Sequence, residues 1–433
     1  MLNESRVCVI GAGPCGLTTL KNLLEQKITN ITVFEQNHQL GGNWIYNKEN
    51  NHASVYETTH LISSKRLSSF DDFPMPDDYP DYPSHSQVLH YFNAYASHYN
   101  LIPHIKFNTR VLEVKRDLND SCWQVTYKDT EGSHQIQFDY VLVANGHHWS
   151  PSMPNYPGQF QGETLHAHHY KNATPFKDKK VLVVGGGNSG CDIAVEVARV
   201  AASTTLSLRH GQHIFPKFIF GKPTDIAFKK IAWLPFRFQQ QLAHWLIRAL
   251  QGRYAKYNLP TPTNRPLSTH PTINSELLYF IRHGKIKTRG SIDRFEANEV
   301  HFSDESYDTF DSVIFATGYT IDFPFFDPSL IDFKQTPNIP LYLKMIHPQW
   351  DTLYFIGLFQ PQGCIWPLAD HQARIIAKII SAQLKRPPDL TTLIDKEQKK
   401  NKQCFHQSPR HVLEVDSHRF KKQLLRCEMS LSQ

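Results

Sequence analysis

The stretch RVCVIGAGPCGLTTLKNLLEQK, residues 6–27, decides the fold. Val7 to Ile10 form a short apolar run that predicts a buried strand. Gly11, Gly13 and Gly16 follow at the spacing G-x-G-x-x-G, with Pro14 and Cys15 between them, and apolar residues then recur with the period of an amphipathic helix. The first glycine permits a tight turn, the second lets backbone approach a pyrophosphate, and the third lets helix and strand pack closely. Free N–H groups and the helix dipole make such a helix start a phosphate site. The next strand, NITVFEQ (30–36), ends near Glu35, where a carboxylate accepts the hydrogen bonds of an adenosine ribose.

The device recurs in KKVLVVGGGNSGCDIAVEVARVA, residues 179–201, with Gly185, Gly187 and Gly190 around Asn188 and Ser189. The strand after it, TTLSLRH (204–210), carries Arg209, as far beyond Gly187 as Glu35 lies beyond Gly13. A carboxylate at that position repels a ribose 2′-phosphate, whereas a guanidinium pairs with it bidentately. The first copy therefore suits FAD, or alternatively NAD, and the second suits NADPH; Arg209 as a merely solvated strand end is the competing reading.

Two nonamers repeat at nearly the same separation, FDYVLVANG (138–146) and FDSVIFATG (310–318). Each reads as the last buried strand of a nucleotide-binding half, closing on small residues such as Thr317 and Gly318 where backbone can approach a cofactor. Beyond the second nonamer, LYFIGLFQPQG (353–363) and PLADHQARIIAKIISAQL (367–384) are too substantial for a tail. The expected architecture is α/β, with two Rossmann-like dinucleotide-binding domains and the NADPH domain inserted in the FAD domain. The expected boundaries are 1–172 for the first FAD part, 173–309 for the NADPH domain with a helical insert near 215–270, and 310–433 for the second FAD part. A helix starting near Pro367 would aim its positive end at the flavin pyrimidine ring.

Composition narrows the classes. With 433 residues, two domains can each bury a core. The 46 Lys and Arg against 40 Asp and Glu give a net charge of +6, too mild and scattered to argue for nucleic acid. Seven dispersed cysteines without a Cys-x-x-Cys pair fit reduced thiols in a cytoplasmic protein and argue against a disulfide reductase. No run of about 18 apolar residues marks a transmembrane anchor, and no leader precedes the first strand. Homo-oligomerisation is left open.

These residues resemble the flavin-containing monooxygenases. The pattern Phe-x-Gly-x-x-x-His-x-x-x-Tyr/Phe falls on Phe160, Gly162, His166 and Tyr170 within FQGETLHAHHY (160–170), and LGGNW (40–44), DFPMPDDYP (72–80), NGHHWSPSMP (145–154) and ATGY (316–319) match as well. Lys171 after Tyr170 departs from the Baeyer–Villiger relatives. The resemblance implies FAD, NADPH and dioxygen, a flavin C4a-hydroperoxide, and transfer of its distal oxygen to a soft amine nitrogen or sulfide sulfur of a small molecule, as in N,N-dimethylaniline monooxygenase. The cofactor then carries the chemistry and no general base or nucleophile is required. Gly42, Asn43 and Trp44 are implied cofactor contacts, Trp44 being equally readable as core.

Two departures matter. Animal members place an Asn before the DFP motif, whereas ETTHLISSKRL (57–67) puts Ile62 there, followed by Ser63. Ser63 or His60 would replace that contact, or the protein would release hydrogen peroxide as an NADPH oxidase; a redox sensor that only binds FAD and NADPH is a further alternative. The end KKQLLRCEMSLSQ (421–433) is polar where microsomal members carry an apolar anchor. Residues 215–257 are rich in Lys, Arg and aromatics with Asp225 the sole acid; a helical insert covering the substrate channel with solvated basic heads is expected, and a membrane-surface helix is the rival. The run Lys396 to Lys402 reads as a solvated helix face. His166, His168 and His169 lack a carboxylate or thiolate partner at metal-ligand spacing, so no metal is expected and 160–170 is read as a hinge between the halves.

Overall fold

The computed structural model describes residues 5–48, 54–117, 122–334, 336, 338–405 and 412–431. The chain divides into two compact units, one formed by Met1–Ile45, Ser63–His147 and Ile321–Gln433, the other by Tyr46–Ile62 and His148–Thr320.

In chain order the first unit contributes β1 (Val7–Ile10), α1 (Pro14–Glu25), β2 (Ile31–Phe34), α2 (His85–His98) and β3 (Ile105–Lys106). Next come β4 (Arg110–Asp117), β5 (Cys122–Lys128), β6 (Ser133–Phe138) and β7 (Tyr140–Val143). The second unit holds β8 (Glu163–His166), β9 (Lys180–Val184), α3 (Asn188–Val197), β10 (Ser203–Ser207), α4 (Phe236–Gln251), β11 (Ile286–Arg289) and β12 (Ser312–Phe315). The chain then returns to the first unit with β13 (Leu353–Phe355), α5 (Trp366–Ile380) and α6 (Ser417–Leu431).

Each unit is built on a five-stranded parallel sheet, in the order β13-β7-β1-β2-β3 and β11-β10-β9-β12-β8. The central strands are buried along their length, as parallel strands covered on both faces must be. Strands β4 to β6 form a separate antiparallel sheet whose Trp123, Val125 and Tyr127 join the core of the first unit with Phe34, Val141 and Phe355.

Both nonamers become buried strands, β7 and β12, but neither is an edge. β7 lies between β1 and β13, and β12 lies between β9 and β8. This changes two expectations. The segment 160–170 is a strand rather than a hinge: Glu163 to His166 pair with Ser312 to Phe315 in parallel, and that ladder holds residues 148–172 in the second unit. The crossings fall instead at His147/His148 and at Thr320/Ile321, so residues 148–172 and 310–320 lie outside the unit expected for them. A second crossing pair, at Ile45/Tyr46 and Ile62/Ser63, sends an arm of the first part into the second unit.

The insert also differs from expectation in one respect. Its prolines do part it into pieces, Pro223 at the N-cap of the helix Thr224–Lys229 and Pro235 at the N-cap of α4, but the last piece runs 16 residues uninterrupted. Its basic heads are solvated, and so are Phe238, Leu242 and Trp245 on the same helix. Lys396, Lys399, Lys400 and Lys402 are exposed on the helix Leu390–Cys404, whose Ile394 and Glu397 face inward.

The strand–turn–helix joints have no room for a side chain. A Cβ on Gly16 would lie 1.9 Å from the Gly11 carbonyl oxygen, and one on Gly190 would lie 2.0 Å from that of Gly185. Gly190→Ala should therefore lose at least about 3 kcal/mol of stability in urea denaturation, while Gly290→Ala, whose nearest neighbour is the Ser303 hydroxyl at 3.5 Å, should stay near wild type.

Candidate functional site

The first candidate site is the turn between β1 and α1. Gly11 has φ +104°, and a Cβ there would meet the Ala144 carbonyl oxygen at 2.8 Å, so only glycine fits. Gly13 is different. Its φ is −71° and a Cβ would meet only Gly42 Cα, at an ordinary 3.6 Å. The protein's own packing would accept alanine at 13, which leaves an approaching ligand as the reason for the gap. Pro14 opens α1, and the N-cap Gly13 supplies no side-chain cap, so the first-turn N–H groups stay available to an anion.

Over this turn lies the Gly41–Gly42 bend, held by Gly41 N–H donating to the Ala12 carbonyl at 3.0 Å. It continues into the short 3₁₀ turn Gly42–Trp44, which carries Asn43. Trp44 is half-buried and packs edge-on to Trp366 at 5.7 Å between ring centroids. Cys15 abuts Gly357: a Cβ on that glycine would lie 2.4 Å from its sulfur. Gly357 N–H donates to the Gln372 side chain at 2.9 Å. Helix α5 begins at Trp366 with Pro367 in its first turn and no side-chain cap, where the sequence placed a helix start.

Glu35 is 3% exposed one residue past β2. One of its oxygens accepts the Ala12 N–H at 2.8 Å, and the other accepts Asn37 through its backbone at 2.9 Å and its side chain at 2.7 Å. Burial raises its carboxyl pKa, and these donors pull the other way. The Gln36 N–H donates to it as well, so the carboxylate is held by the backbone of Ala12, Gln36 and Asn37 and by the Asn37 amide.

The second candidate site repeats the first. Gly185 has φ +118° and a Cβ there would meet the Ala316 carbonyl at 2.3 Å, as Gly11 meets Ala144. Helix α3 starts at Asn188 and Ser189 behind the uncapped Gly187, φ −76°. Arg209 stands two residues beyond β10, exposed and outside every ion pair among the described residues; burial raises the Tyr156 phenol pKa, and the Arg209 charge opposes that rise. Thr317 donates to the Ser152 carbonyl at 2.5 Å and Gly318 takes φ +87° in the turn after β12.

Beside Asn188, which the glycine motif marked, Asp192 and Glu196 at this site had no local signal. Asn188, Asp192 and Glu196 share one face of α3 at i, i+4 and i+8. Asn188 clamps Pro271 and Ile273, and Asp192 accepts the Asn274 amide at 2.5 Å and the Tyr56 hydroxyl at 3.3 Å. Glu196 accepts the Thr58 hydroxyl at 2.7 Å. The arm 54–60 is thus pinned to the nucleotide-site helix. Burial of Asp192 pushes its carboxyl up to about 6. Partners 80 to 140 residues apart could not be paired from a single sequence.

The residues proposed around Ile62 separate. His60 is exposed in the second unit, its ring bonded to the Thr58 carbonyl at 2.8 Å. Ser63 is buried in the first unit, with its hydroxyl 2.8 Å from that of Ser68. Half-buried Ile62 lies at the crossing between them. Ser63 and His60, the two alternatives for the missing Asn, thus fall in different units, and the Ser63 hydroxyl already pairs with Ser68.

In the linker motif, Phe160 and Tyr170 are buried, and a Cβ on Gly162 would meet the Asp311 carbonyl and the Phe160 ring, both at 2.6 Å. His166 is 4% exposed; its Nδ1 accepts the His168 N–H at 3.1 Å. Burial lowers its pKa to about 4, so the imidazole is neutral at pH 7. The motif fixes the edge of the second sheet.

The twin turns and α/β sheets define a two-dinucleotide flavoprotein. The family model described as flavin-binding monooxygenase-like matches residues 4–427. Flavin-containing monooxygenase 5 of Rattus norvegicus is 36% identical over 440 residues, covering 95% of this chain and 80% of the relative. Dimethylaniline monooxygenase [N-oxide-forming] 2 of the same species is 32% identical over 431 residues, with 95% and 80% covered. Among solved structures, the S-allyl-L-cysteine S-oxygenase of Allium sativum superposes with a TM-score of 0.73 at 21% identity, covering 98% of this chain and 88% of that one. The NADP⁺-bound cyclohexanone monooxygenase of Rhodococcus sp. Phi1 reaches 0.75 at 15% identity, with 99% and 98% covered. At such identities the structural likeness concerns the fold. The chain belongs to the flavin-binding monooxygenase-like family, and it is an FAD- and NADPH-dependent monooxygenase.

Two outcomes test this geometry. Apo Gly13→Ala should melt like the apo wild type while its FAD affinity falls at least about tenfold, or ~1.4 kcal/mol, in equilibrium dialysis. The depressed His166 pKa means that the unfolded chain binds its proton more readily, so stability falls as pH drops from about 6.5 towards 4. His166→Gln should lose less of its melting temperature than wild type between pH 7 and pH 5.

Proposed function

We propose that this protein uses NADPH and dioxygen to oxygenate a soft nucleophilic nitrogen or sulfur in a small molecule, with FAD held at the Gly11–Gly16 turn and NADPH at the Gly185–Gly190 turn. The observation that carries the reading is the opposite charge at equivalent positions, a buried Glu35 in one copy and an exposed Arg209 in the other. The names of the relatives, an N-oxide-forming monooxygenase and an S-oxygenase, support the substrate class.

FAD, when bound, supplies electron acceptance from NADPH and activation of oxygen. The chain's own part is binding and orientation. The uncapped N–H groups of α1 and α3 take the pyrophosphates. Glu35 accepts the adenosine ribose hydroxyls of the flavin nucleotide, and Arg209 pairs with the 2′-phosphate of the nicotinamide nucleotide. Trp44, Asn43 and Cys15 line the flavin side, while Thr317 and Gly318 leave the turn after β12 open to the second nucleotide. Asp192 and Glu196 keep the arm 54–60 in place beside the nucleotide helix. A cytoplasmic location belongs to this reading, in keeping with seven free cysteines.

A second reading rests on Ile62. An aliphatic side chain offers no hydrogen bond to a flavin or nicotinamide edge, and the Ser63 hydroxyl already pairs with that of Ser68. A fraction of turnover that releases hydrogen peroxide would follow. Turnover with trimethylamine and with methyl p-tolyl sulfide, with peroxide measured in parallel, decides between them: oxygenated product supports the first reading, and peroxide without product supports the second. Arg209→Glu should raise the KM for NADPH ~10–100-fold, the loss of a charge-assisted pair, and leave the KM for NADH within about twofold.

A further inference from the structure

Helix α2 carries Tyr91 and Tyr95 one turn apart, and Tyr99 stands at its C-cap a further turn on. The turn 70–73 packs two more rings against them. Phe70 meets Tyr91 and Tyr95 with ring centroids 6.0 and 4.4 Å apart, and Phe73 meets the same two at 5.6 and 5.5 Å. Tyr95 in turn meets Tyr99 at 4.8 Å. In the other direction, Tyr91 meets Phe92 at 5.7 Å, Phe92 meets Trp366 edge-on at 5.2 Å, and Trp366 meets Trp44 at 5.7 Å. All these residues lie in the first unit. An unbroken file of rings therefore runs from Trp44, on the bend over the Gly11–Gly16 turn, to the half-buried Tyr99, and no step in it exceeds 6.0 Å.

Packing alone would be served by Phe or Leu at positions 91 and 95, which are 1% and 0% exposed. A buried phenol costs free energy unless its hydroxyl finds a partner. Here the polar atoms along the file are provided for. The Tyr91 hydroxyl donates to the Phe73 carbonyl at 2.5 Å, and the Trp366 indole N–H donates to the Ser68 carbonyl. The Tyr95 hydroxyl donates at 3.5 Å to the Thr18 hydroxyl, which itself donates to the Asp370 carboxylate.

The far end is built differently. Tyr99 stands beside the Asp72 carboxylate; burial, and then that charge, raise its phenol pKa. Lys21 lies 5.6 Å over the Tyr99 ring and holds Asp72 at 2.6 Å. A tyrosine gives up an electron easily only when its phenolic proton has somewhere to go. Asp72, with a side chain 36% exposed, offers a base that also opens to solvent.

Electron tunnelling between rings falls off exponentially with distance, so one long jump from Trp44 to the surface is slow and a series of short hops is fast. Indole and phenol rings can each be oxidised by one electron; the Phe rings between them fill the gaps as a tunnelling medium. Trp123 and Trp350 pair at 5.8 Å in the same unit, yet no ring contact among the described residues joins them to this file.

We propose that Trp44, Trp366, Tyr91, Tyr95 and Tyr99 form a hole-transfer relay that carries a one-electron oxidising equivalent from the flavin site to the protein surface. The relay rests on the reading that places FAD at the Gly11–Gly16 turn with Trp44 on its flavin side. A one-electron oxidant of the oxygen-radical class formed there takes an electron from Trp44 and becomes its anion. Trp44 is refilled from Trp366, and the vacancy moves through Tyr91 and Tyr95 until Tyr99 has lost the electron. The phenolic proton of Tyr99 passes to Asp72, which leaves one reduced oxidant, one neutral tyrosyl radical and one protonated carboxylate. A thiol in solution then returns a hydrogen atom to Tyr99 and becomes a thiyl radical, and Asp72 releases its proton to water.

The test is laser-flash excitation of the anaerobic, full-length FAD-loaded protein, in which light-excited oxidised FAD serves as the one-electron oxidant. Wild type should give a tyrosyl radical in transient absorption and, after freeze-trapping, in electron paramagnetic resonance, and glutathione should shorten its lifetime. Trp366→Phe and Tyr95→Phe should lose that signal with FAD content retained, while Trp350→Phe, outside the file, should keep it. Tyr99→Phe removes one hydroxyl at a half-buried helix end and leaves the ring in place, so it tests the relay without a risk of misfolding; it should lose the glutathione-sensitive radical. Absence of a tyrosyl signal in wild type would overturn the relay, as would a signal that Trp366→Phe, Tyr95→Phe and Tyr99→Phe all preserve. Gly13→Ala separates this proposal from the reading beneath it. Unchanged FAD affinity in that variant would sink the site reading and the relay with it, whereas the expected loss of affinity, alongside a wild type without tyrosyl signal, would sink the relay alone.

Discussion

Everything at the two nucleotide sites depends on a contact in which a side chain is missing. Gly16 and Gly190 lie so close to the carbonyls of Gly11 and Gly185 that a methyl group would overlap them at about 2 Å. Each approach seats a helix N-terminus on the end of a buried strand. That seating turns the first-turn N–H groups towards the glycine turn, where no side chain caps them. The strand on the other side closes the same joint, because Gly11 and Gly185 each face an alanine carbonyl, of Ala144 and Ala316, at the end of a repeated nonamer. Four segments, two per copy, thus make one device twice.

Given identical backbones, side chains one strand away distinguish the copies. Glu35 is buried and held on one oxygen by Ala12 and on the other by Asn37, so its orientation is set by the fold. Arg209 is solvated and unpaired with any acid among the described residues, as suits a group that meets a dianion from solvent. On the proposed reading, Glu35 acts through hydrogen bonds set by the fold, and Arg209 through charge at a strand end. The face Asn188–Asp192–Glu196 ties 54–60 and 271–277 to the second helix, where the first helix uses Thr18 and Asn22 at the equivalent positions to hold Asp370. A half-buried carboxylate pushed to about 6 at the centre of that face is stabilised by its donors only when both are in place.

Much of this was legible in the chain. Glycine spacing, valine-rich runs and the acid or arginine after the second strand are local signals, set by backbone geometry within about 30 residues, and all fell on the elements expected. Boundaries were less legible. The segment 160–170 reads as a linker because its neighbours in sequence are loops, yet Glu163 to His166 gain ladder partners at Ser312 to Phe315 about 150 residues later. The arm 46–62 has no compositional mark at all; Tyr56 and Thr58 belong to the second unit because of two carboxylates on α3. Gly357 and Gln372, which close around Cys15, were hidden for the same reason.

By itself, then, the sequence determined the two glycine turns, the helices they start, and the opposite charges at equivalent positions after them, because these follow from steric limits on φ and from side chains close in the chain. The tertiary structure alone decided which strand flanks each nonamer, where the chain crosses between units, that Ser63 pairs with Ser68, and that one apolar face of α4 has no cover. Those outcomes are set by pairing and burial between residues far apart in sequence, where register and packing select among partners that composition leaves equivalent.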